Sequence, residues 1–298
     1  MKKLLVTGAG GLLGQALVSK LPHDKYEIFT TTTDMQHYDS VEGVTPIECN
    51  LLSESSRRSL IVKVQPELLI HFAWDLSKGY LQSRANFEWL AASLDILRIF
   101  SELGGKRFVF AGSSSEYDAC SGVFAENEGS AQTAYGICKR AFTDIALTFG
   151  EKYGVEVVIP RYFTVYGGHE KRIYRAIPMA IRSFMRSERV TCNSPDTIRD
   201  CIYVEDAIQA TIKLLESSIT GAVNIASGVP KTMREIFTEI AIEMNAEHLL
   251  DFAKEPLITD ALIADIGKMK NELGFTCKTD FHSGLKATID WWRKTLEV

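Results

Sequence analysis

The stretch Val6-Thr7-Gly8-Ala9-Gly10-Gly11-Leu12-Leu13-Gly14 constrains this chain more than any other. It stands between a short β-type run, residues 3–6, and a helical pattern over 12–21. Glycines at 8, 11 and 14 carry a physical purpose at that spacing. They allow a tight turn, close approach of a pyrophosphate to backbone N–H groups at a helix N-terminus, and tight packing of the helix on the sheet. Any glycine-rich turn shows some of these residues, so the context of a strand before and a helix after supplies the weight.

The residues that follow repeat the same alternation. β-rich runs at 26–32, 44–49, 68–72, 107–111 and 155–160 are separated by helical patterns at 53–64, 82–103 and 133–153. Parallel strands need crossover helices, so the pattern predicts an α/β fold with a doubly wound, Rossmann-type parallel sheet. After Arg161 the pattern loosens: a helix at 174–186, a strand at 199–203, a helix at 205–215 and a strand at 222–226. Helices at 232–245, 266–273 and 281–296 follow, with a short strand at 249–252. We therefore expect a dinucleotide-binding domain over residues 1–160, with 203–226 returning to it. A smaller, mostly helical C-terminal lobe takes 161–202 and 227–298, and the cleft beside it is the default ligand site.

Composition narrows the partners. Of 298 residues, 46% are apolar and 24% charged, enough for a buried core. Thirty-three Lys and Arg against 38 Asp and Glu give a net charge of −5, and no basic run is present to neutralise a phosphodiester backbone, so nucleic acid is not an expected partner. No apolar stretch reaches the ~20 residues of a membrane span, and the N-terminus lacks a signal-peptide core, which together predict a cytoplasmic protein without membrane association. The six cysteines, at 49, 120, 138, 192, 201 and 277, form no C-x-x-C pair and have no histidine pair at zinc spacing. Neither a metal site nor a disulfide framework is expected.

Tyr135-Gly136-Ile137-Cys138-Lys139 begins a helical pattern. The spacing of four places the Tyr135 phenol and the Lys139 ammonium on one face, where the cation favours the phenolate and the tyrosine can exchange a proton with a carbonyl or alcohol. Alone, such a pair is two common helix residues. It gains meaning beside the glycine loop and Gly112-Ser113-Ser114-Ser115, just past the fifth strand. His71-Phe72-Ala73, Asn86, Arg161-Tyr162-Phe163-Thr164-Val165-Tyr166-Gly167 and Arg199-Asp200-Cys201-Ile202-Tyr203-Val204-Glu205-Asp206 extend the set. Jointly these motifs resemble the extended short-chain dehydrogenase/reductase family, in its nucleotide-sugar epimerase/dehydratase/reductase branch, over nearly the whole chain.

The resemblance implies that Ser113, or its neighbour Ser114, hydrogen-bonds the reacting oxygen, that Tyr135 is the acid/base, and that Lys139 lowers the phenol pKa while holding the cofactor ribose. Gly8, Gly11, Leu13 and Gly14 would serve the pyrophosphate, Asn50 the adenine amino group, and Phe72 and Ala73 the adenosine side. Asn50 replaces a common aspartate, yet its amide oxygen still accepts. At the end of the second strand, Thr30-Thr31-Thr32-Thr33 precede Asp34. An NAD site usually places a carboxylate there, whereas hydroxyls such as that of Thr32 can donate to a 2′-phosphate, so the cofactor, NADP or NAD, leans to NADP. The threonines are also simply good strand residues.

The substrate implied is a nucleotide sugar, with Arg199 meeting its diphosphate and His169 near the sugar. Arg175 and Arg182 share a helical pattern that could face the ligand, though as solvated surface charges they need no such role, and Asp206 caps or supports a helix. Ser114-Ser115 stand where a 4,6-dehydratase has an Asp-Glu pair, and Ser115 stands where a fucose-synthase-like epimerase-reductase has a Cys. Glu116-Tyr117 resembles the sugar 4-ketoreductases. An NAD(P)-dependent oxidoreductase reducing a nucleoside-diphosphate-linked 4-keto-6-deoxy sugar is therefore the first reading. A 4-epimerase with bound NAD is the alternative, and a non-catalytic dinucleotide-binding regulator is the third. Relatives commonly dimerise through the two long helices, here 82–103 and 133–153, with Trp89, Leu90, Leu94, Leu97 and Phe142 as apolar surface, so a homodimer is expected.

Overall fold

The computed structural model describes residues 1–35, 41–117, 122–257 and 259–295; Cys120 and Leu296, which enter the sequence reading, lie outside them. The run Lys2–Thr7 forms β1, and its last four residues are enclosed, as in a strand covered on both faces. The chain continues through α1 (Leu12–Val18), β2 (Tyr26–Thr32), β3 (Val44–Glu48), α2 (Glu54–Val64), β4 (Leu68–His71), a 3₁₀ turn at Tyr80–Gln82 and α3 (Ala85–Glu102). Next come β5 (Arg107–Phe110), β6 (Gly112–Ser113), a 3₁₀ turn at Ser114–Glu116, β7 (Val123–Phe124), α4 (Ala134–Tyr153) and β8 (Glu156–Tyr162). Then follow β9 (Thr164–Tyr166), α5 (Ala176–Met185), β10 (Val190–Cys192), β11 (Ile198–Tyr203), α6 (Val204–Glu216) and β12 (Gly221–Ile225). β13 (Pro230–Thr232), α7 (Met233–Glu243), β14 (Leu250–Phe252), β15 (Ala261–Ala264), α8 (Gly267–Asn271) and α9 (Phe281–Thr295) complete the chain.

These elements form two compact units. The first takes Met1–Tyr117, Ser130–Arg161 and Ile208–Val223, and the second takes the other described residues. The main sheet of the first unit runs β12-β8-β5-β4-β1-β2-β3, with β6 also on β8. Its pairs from β3 to β8 are parallel, with Leu5 level with Phe29 and Leu69, and Phe108 level with Leu69 and Val157. This is the doubly wound sheet that the alternation predicts. Ile96, Phe100 and Phe142, from α3 and α4, share one buried cluster with Leu5, Leu69, Phe108 and Phe110. Thr133 starts α4 by accepting from Gly136 N–H, and Gly154, at φ 72°, ends it. The helix expected over 12–21 stops at Val18, because the N–H groups of Lys20 and Leu21 both return to Leu17 O ahead of Pro22.

One expectation about the surface needs correction. Leu97 and Phe142 are buried in the core and offer no interface, while Trp89, Leu90 and Leu94 are half-buried against that same core. The exposed large apolar side chains on α3 and α4 are instead Phe87, Ile137, Ile145 and, at the end of α4, Tyr153.

In the second unit, α5, α7 and α9 enclose Ile181, Phe184, Ile240, Leu285, Ile289 and Trp292. Strands the periodicity did not flag accompany these helices. β13-β11-β15-β7 form a sheet with β9 also on β11, and β10 pairs with β14. β7, β9, β10, β13 and β15 span two to four residues each, too short for an alternating pattern to register.

Candidate functional site

The β1–α1 loop has two kinds of glycine. A Cβ on Gly14 would stand 2.2 Å from Gly8 O, and one on Gly8, itself at φ 73°, would stand 2.6 Å from Ala73 N. These two fix the loop against itself and against the end of β4. A Cβ on Gly10 would meet nothing within 4 Å, and one on Gly11 only Gly8 O at 3.5 Å. Backbone is therefore bared on the side where α1 begins, and no side chain caps that helix start. A loop of this form fits a dinucleotide pyrophosphate, which needs backbone N–H groups without side-chain cover. Leu13 is half-buried beside it. Phe72 N donates to Thr7 O and Ala73 N to Thr7 Oγ1, which holds the segment after β4 in place.

At the end of β2 the threonines divide. Thr30 and Thr31 are buried in the sheet, the ordinary place for strand residues. Thr32 Oγ1 donates to Asp34 O at 2.9 Å and accepts from Asp34 N at 3.1 Å. The hydroxyl proton on which the lean to NADP rested is thus spent inside the turn, and the same turn brings the Asp34 residue to the strand end. Asn50, exposed, accepts from Leu52 N through Oδ1 at 3.0 Å, which uses one of the two lone pairs of that oxygen.

Ser113 and Glu116 form a capping box around the 3₁₀ turn. Ser113 Oγ accepts from Ser115 N at 3.1 Å and keeps its own proton for donation, while Ser113 N donates to Glu116 Oε1 at 2.9 Å. Ser114 is half-buried at the start of that turn. Glu116 is fully enclosed, and its Oε2 accepts from Thr143 Oγ1 at 2.9 Å and Arg161 Nε at 2.8 Å. Arg161 Nη1 reaches Tyr117 OH at 2.9 Å. Gly112 leaves room for this arrangement, since a Cβ there would meet Glu116 Oε1 at 2.8 Å. Gly136 lets the serine turn lie on the first turn of α4, because a Cβ there would fall 2.0 Å from Ser115 O. The sequence brings Ser113 and Tyr135 to one neighbourhood through these two glycines.

Tyr135 is 7% exposed, its ring met edge-on by Tyr80 at 4.9 Å and by Trp74 at 6.2 Å. Lys139 is buried, with Nζ donating to Ala111 O at 2.9 Å and lying 5.6 Å from the Tyr135 ring centroid. Burial pulls the Lys139 pKa down to about 7, with the Glu116 carboxylate acting in the opposite direction. His71 lies between Thr7 Oγ1, 2.6 Å from Nδ1, and Ser93 Oγ, 2.8 Å from Nε2. Burial, reinforced by the Lys139 charge, pushes this imidazole down to about 3, so it is neutral at physiological pH.

The second unit contains a cavity of about 310 Å³ whose lining includes Arg175, Arg199, Glu170, Tyr166, Met233 and Ile236. Arg199 Nη1 is paired with Asp260 Oδ1 at 2.5 Å. Glu170, buried and not singled out in the sequence, receives Arg172 at 2.6 Å and Arg175 at 3.5 Å. Arg182 instead lays its guanidinium over the Trp292 ring at 5.6 Å. His169, exposed and at φ 65°, has its ring 5.0 Å from that of Trp291. Asp206 accepts from Lys278 N and Thr279 N, which anchors the approach to α9.

Known proteins resemble this chain in sequence and in fold. A UDP-N-acetyl-alpha-D-glucosaminuronate decarboxylase of Bacillus cytotoxicus is 24% identical over 319 residues, covering 98% of each chain. The structure of a UDP-glucose 4-epimerase of Thermotoga maritima with UDP-glucose superposes with a TM-score of 0.90 at 24% identity, covering 99% of each chain. A dTDP-glucose 4,6-dehydratase of Bacillus anthracis in complex with NAD gives 0.88 at 18% identity, over 100% of this chain and 98% of that one. Residues 4–226 match the NAD dependent epimerase/dehydratase family, and the chain is a member of it.

Proposed function

We propose that the chain reduces the 4-keto group of a 6-deoxy sugar carried on a nucleoside diphosphate. The observation that carries this reading is the buried Lys139 ammonium beside the Tyr135 ring, on the helix turn against which the Ser113 turn is packed. Tyr135 releases its phenolic proton to the carbonyl oxygen, Ser113 donates its hydroxyl hydrogen to the same oxygen, and the Lys139 cation favours the phenolate that remains. Gly8, Gly10, Gly11, Leu13 and the Asn50 turn would hold the dinucleotide, which when bound would supply the hydride chemistry of the reduction. We place NAD ahead of NADP, because the Thr32 hydroxyl donates to Asp34 O and a carboxylate follows in the same turn.

Elimination of water fits the residues less well. Ser114 and Ser115 lack carboxyl groups, and both oxygens of Glu116 are engaged inside the protein. In this reading the second unit is the substrate lobe. Its cavity receives the nucleoside diphosphate, with Arg199 and Arg175 of its lining toward the phosphates, while His169 lies outside that lining, with its ring against Trp291. A second reading, a 4-epimerase that oxidises and re-reduces the sugar on bound NAD, is favoured by the fold shared with the Thermotoga maritima protein.

Incubation with a panel of nucleotide 4-keto sugars and nucleotide hexoses, with absorbance at the nicotinamide band and product identification, tests both. Net consumption of reduced cofactor with a keto sugar supports the reductase. Interconversion of C4 epimers without net consumption supports the epimerase. Cofactor binding without either reaction returns the chain to a non-catalytic role.

A further inference from the structure

The Lys139 ammonium meets two aromatic faces besides its bond to Ala111 O. Nζ lies 4.0 Å from the Trp74 ring centroid and 4.3 Å from that of Phe110. Trp74 is 9% exposed and held on its other contacts as well. Its Nε1 donates to Asn86 Oδ1 at 2.8 Å, and Asn86 Nδ2 in turn donates to Tyr80 O at 2.7 Å and Ser83 O at 2.9 Å. Trp89 stacks beside the indole at 6.3 Å. The same indole meets the Tyr135 ring edge to face, and Tyr80, whose carbonyl Asn86 holds, meets that ring from another side. One side chain therefore touches both members of the Tyr135–Lys139 pair, and Asn86 sets its angle.

We propose that Trp74 is a positioning residue, oriented by Asn86, whose indole face holds the Lys139 ammonium and whose ring, packed nearly perpendicular to that of Tyr135, fixes the phenol in place. The inference rests on the reading of Tyr135 and Lys139 given above. An indole is the best aromatic partner for a cation, and the attraction grows when the pair is desolvated. It is needed here because burial disfavours the charged lysine. The other groups that act on Lys139 are Glu116, in the turn after β6, the neutral His71 at the end of β4, and Tyr135 on its own helix. Of these only Glu116 opposes the cost of burial by charge. Taking away the indole face leaves that cost in place and removes an attraction for the cation, so the lysine gives up its proton at lower pH.

The test is a ¹³C NMR titration of the protein labelled at lysine Cε, with the Lys139 signal identified by its loss in Lys139→Met. We expect the midpoint in Trp74→Leu to fall by about one pH unit, with a smaller fall in Trp74→Phe, which keeps an aromatic face. The alkaline limb of the turnover profile is expected to move in step. Midpoints in both variants within about 0.2 of the parent would overturn the proposal. If Trp74→Leu does not fold, Trp74→Phe alone decides on the same criterion. The titration needs no substrate, so it is separate from the reading beneath it, which falls if Tyr135→Phe keeps full turnover.

Discussion

Arg161 and Glu116 form a fully enclosed ion pair, Nε to Oε2 at 2.8 Å, with the side chains 1% and 0% exposed. Because the other carboxylate oxygen holds Ser113 N–H, the pair ties the serine turn to β8. Removing one partner of such a pair leaves a buried charge uncompensated, which costs about 3–5 kcal/mol. Glu116→Gln is expected to lose stability of that order in denaturant unfolding, with Glu116→Gln/Arg161→Met recovering part of it. A loss below about 1 kcal/mol would show that water reaches the guanidinium.

If Tyr135 delivers the proton, Tyr135→Phe reduces turnover by roughly 10²–10⁴-fold and leaves dinucleotide affinity near the parent value. Steady-state kinetics and fluorescence titration of the cofactor check the two halves separately. Turnover within twofold of the parent removes Tyr135 from the role.

His71 gives the protein an acid sensitivity with a definite window. Its folded pKa, about 3, lies below the unfolded 6.5, so the unfolded chain binds the proton first as pH falls. The stability it contributes is full above pH 6.5 and is lost progressively as pH falls toward 3. Melting temperature is expected to decline from pH 6.5 to pH 4, and less steeply in His71→Asn, which does not titrate. Parallel curves for the two proteins would assign the decline to other groups.

At the cofactor end of β2, NADH is expected to bind more tightly than NADPH. Asp34→Asn is expected to narrow the gap by roughly tenfold, since it removes a carboxylate that repels a 2′-phosphate. Fluorescence titration of both cofactors on both proteins measures it. A parent that prefers NADPH would restore the donor role that the threonine run suggests.

A dimer formed through α3 and α4 would use contact residues other than Leu97 and Phe142. Phe87, Ile137 and Ile145 are each about half exposed on these helices, which pack against each other. We expect a dimer in sedimentation velocity at micromolar concentration and a shift to monomer in Ile145→Glu. A parent that sediments only as monomer ends the proposal.

The parts legible in the sequence are those whose cause is local. Gly8, Gly11 and Gly14 act within one loop, Tyr135 and Lys139 within one helical turn, and the strands of the main sheet are long enough to show their pattern. Glu116 and Arg161 were visible only as motif letters, because the contact that gives them meaning spans 45 positions. The turn at Thr32 was hidden for a related reason, since a hydroxyl that suits a phosphate suits the carbonyl of Asp34 equally well. Trp74 reads as an ordinary aromatic until Lys139 is seen over its ring. Leu97 and Phe142 share helices with exposed residues, and only packing tells which face each occupies.

The interleaving of the two units along the chain sets an order for synthesis. β8 is complete at Tyr162, but β12, which pairs with it, is not made until residues 221–225. At ~5–20 residues per second, a nascent chain carries the open side of β8 for roughly 3–12 s before its neighbour emerges. An unpaired strand is a template for pairing with other chains, and β8 contributes Val157, Val158 and Ile159 to the core. Yield during expression is therefore expected to depend on how fast translation passes from Tyr162 to Ile225, as well as on the final stability of the folded protein.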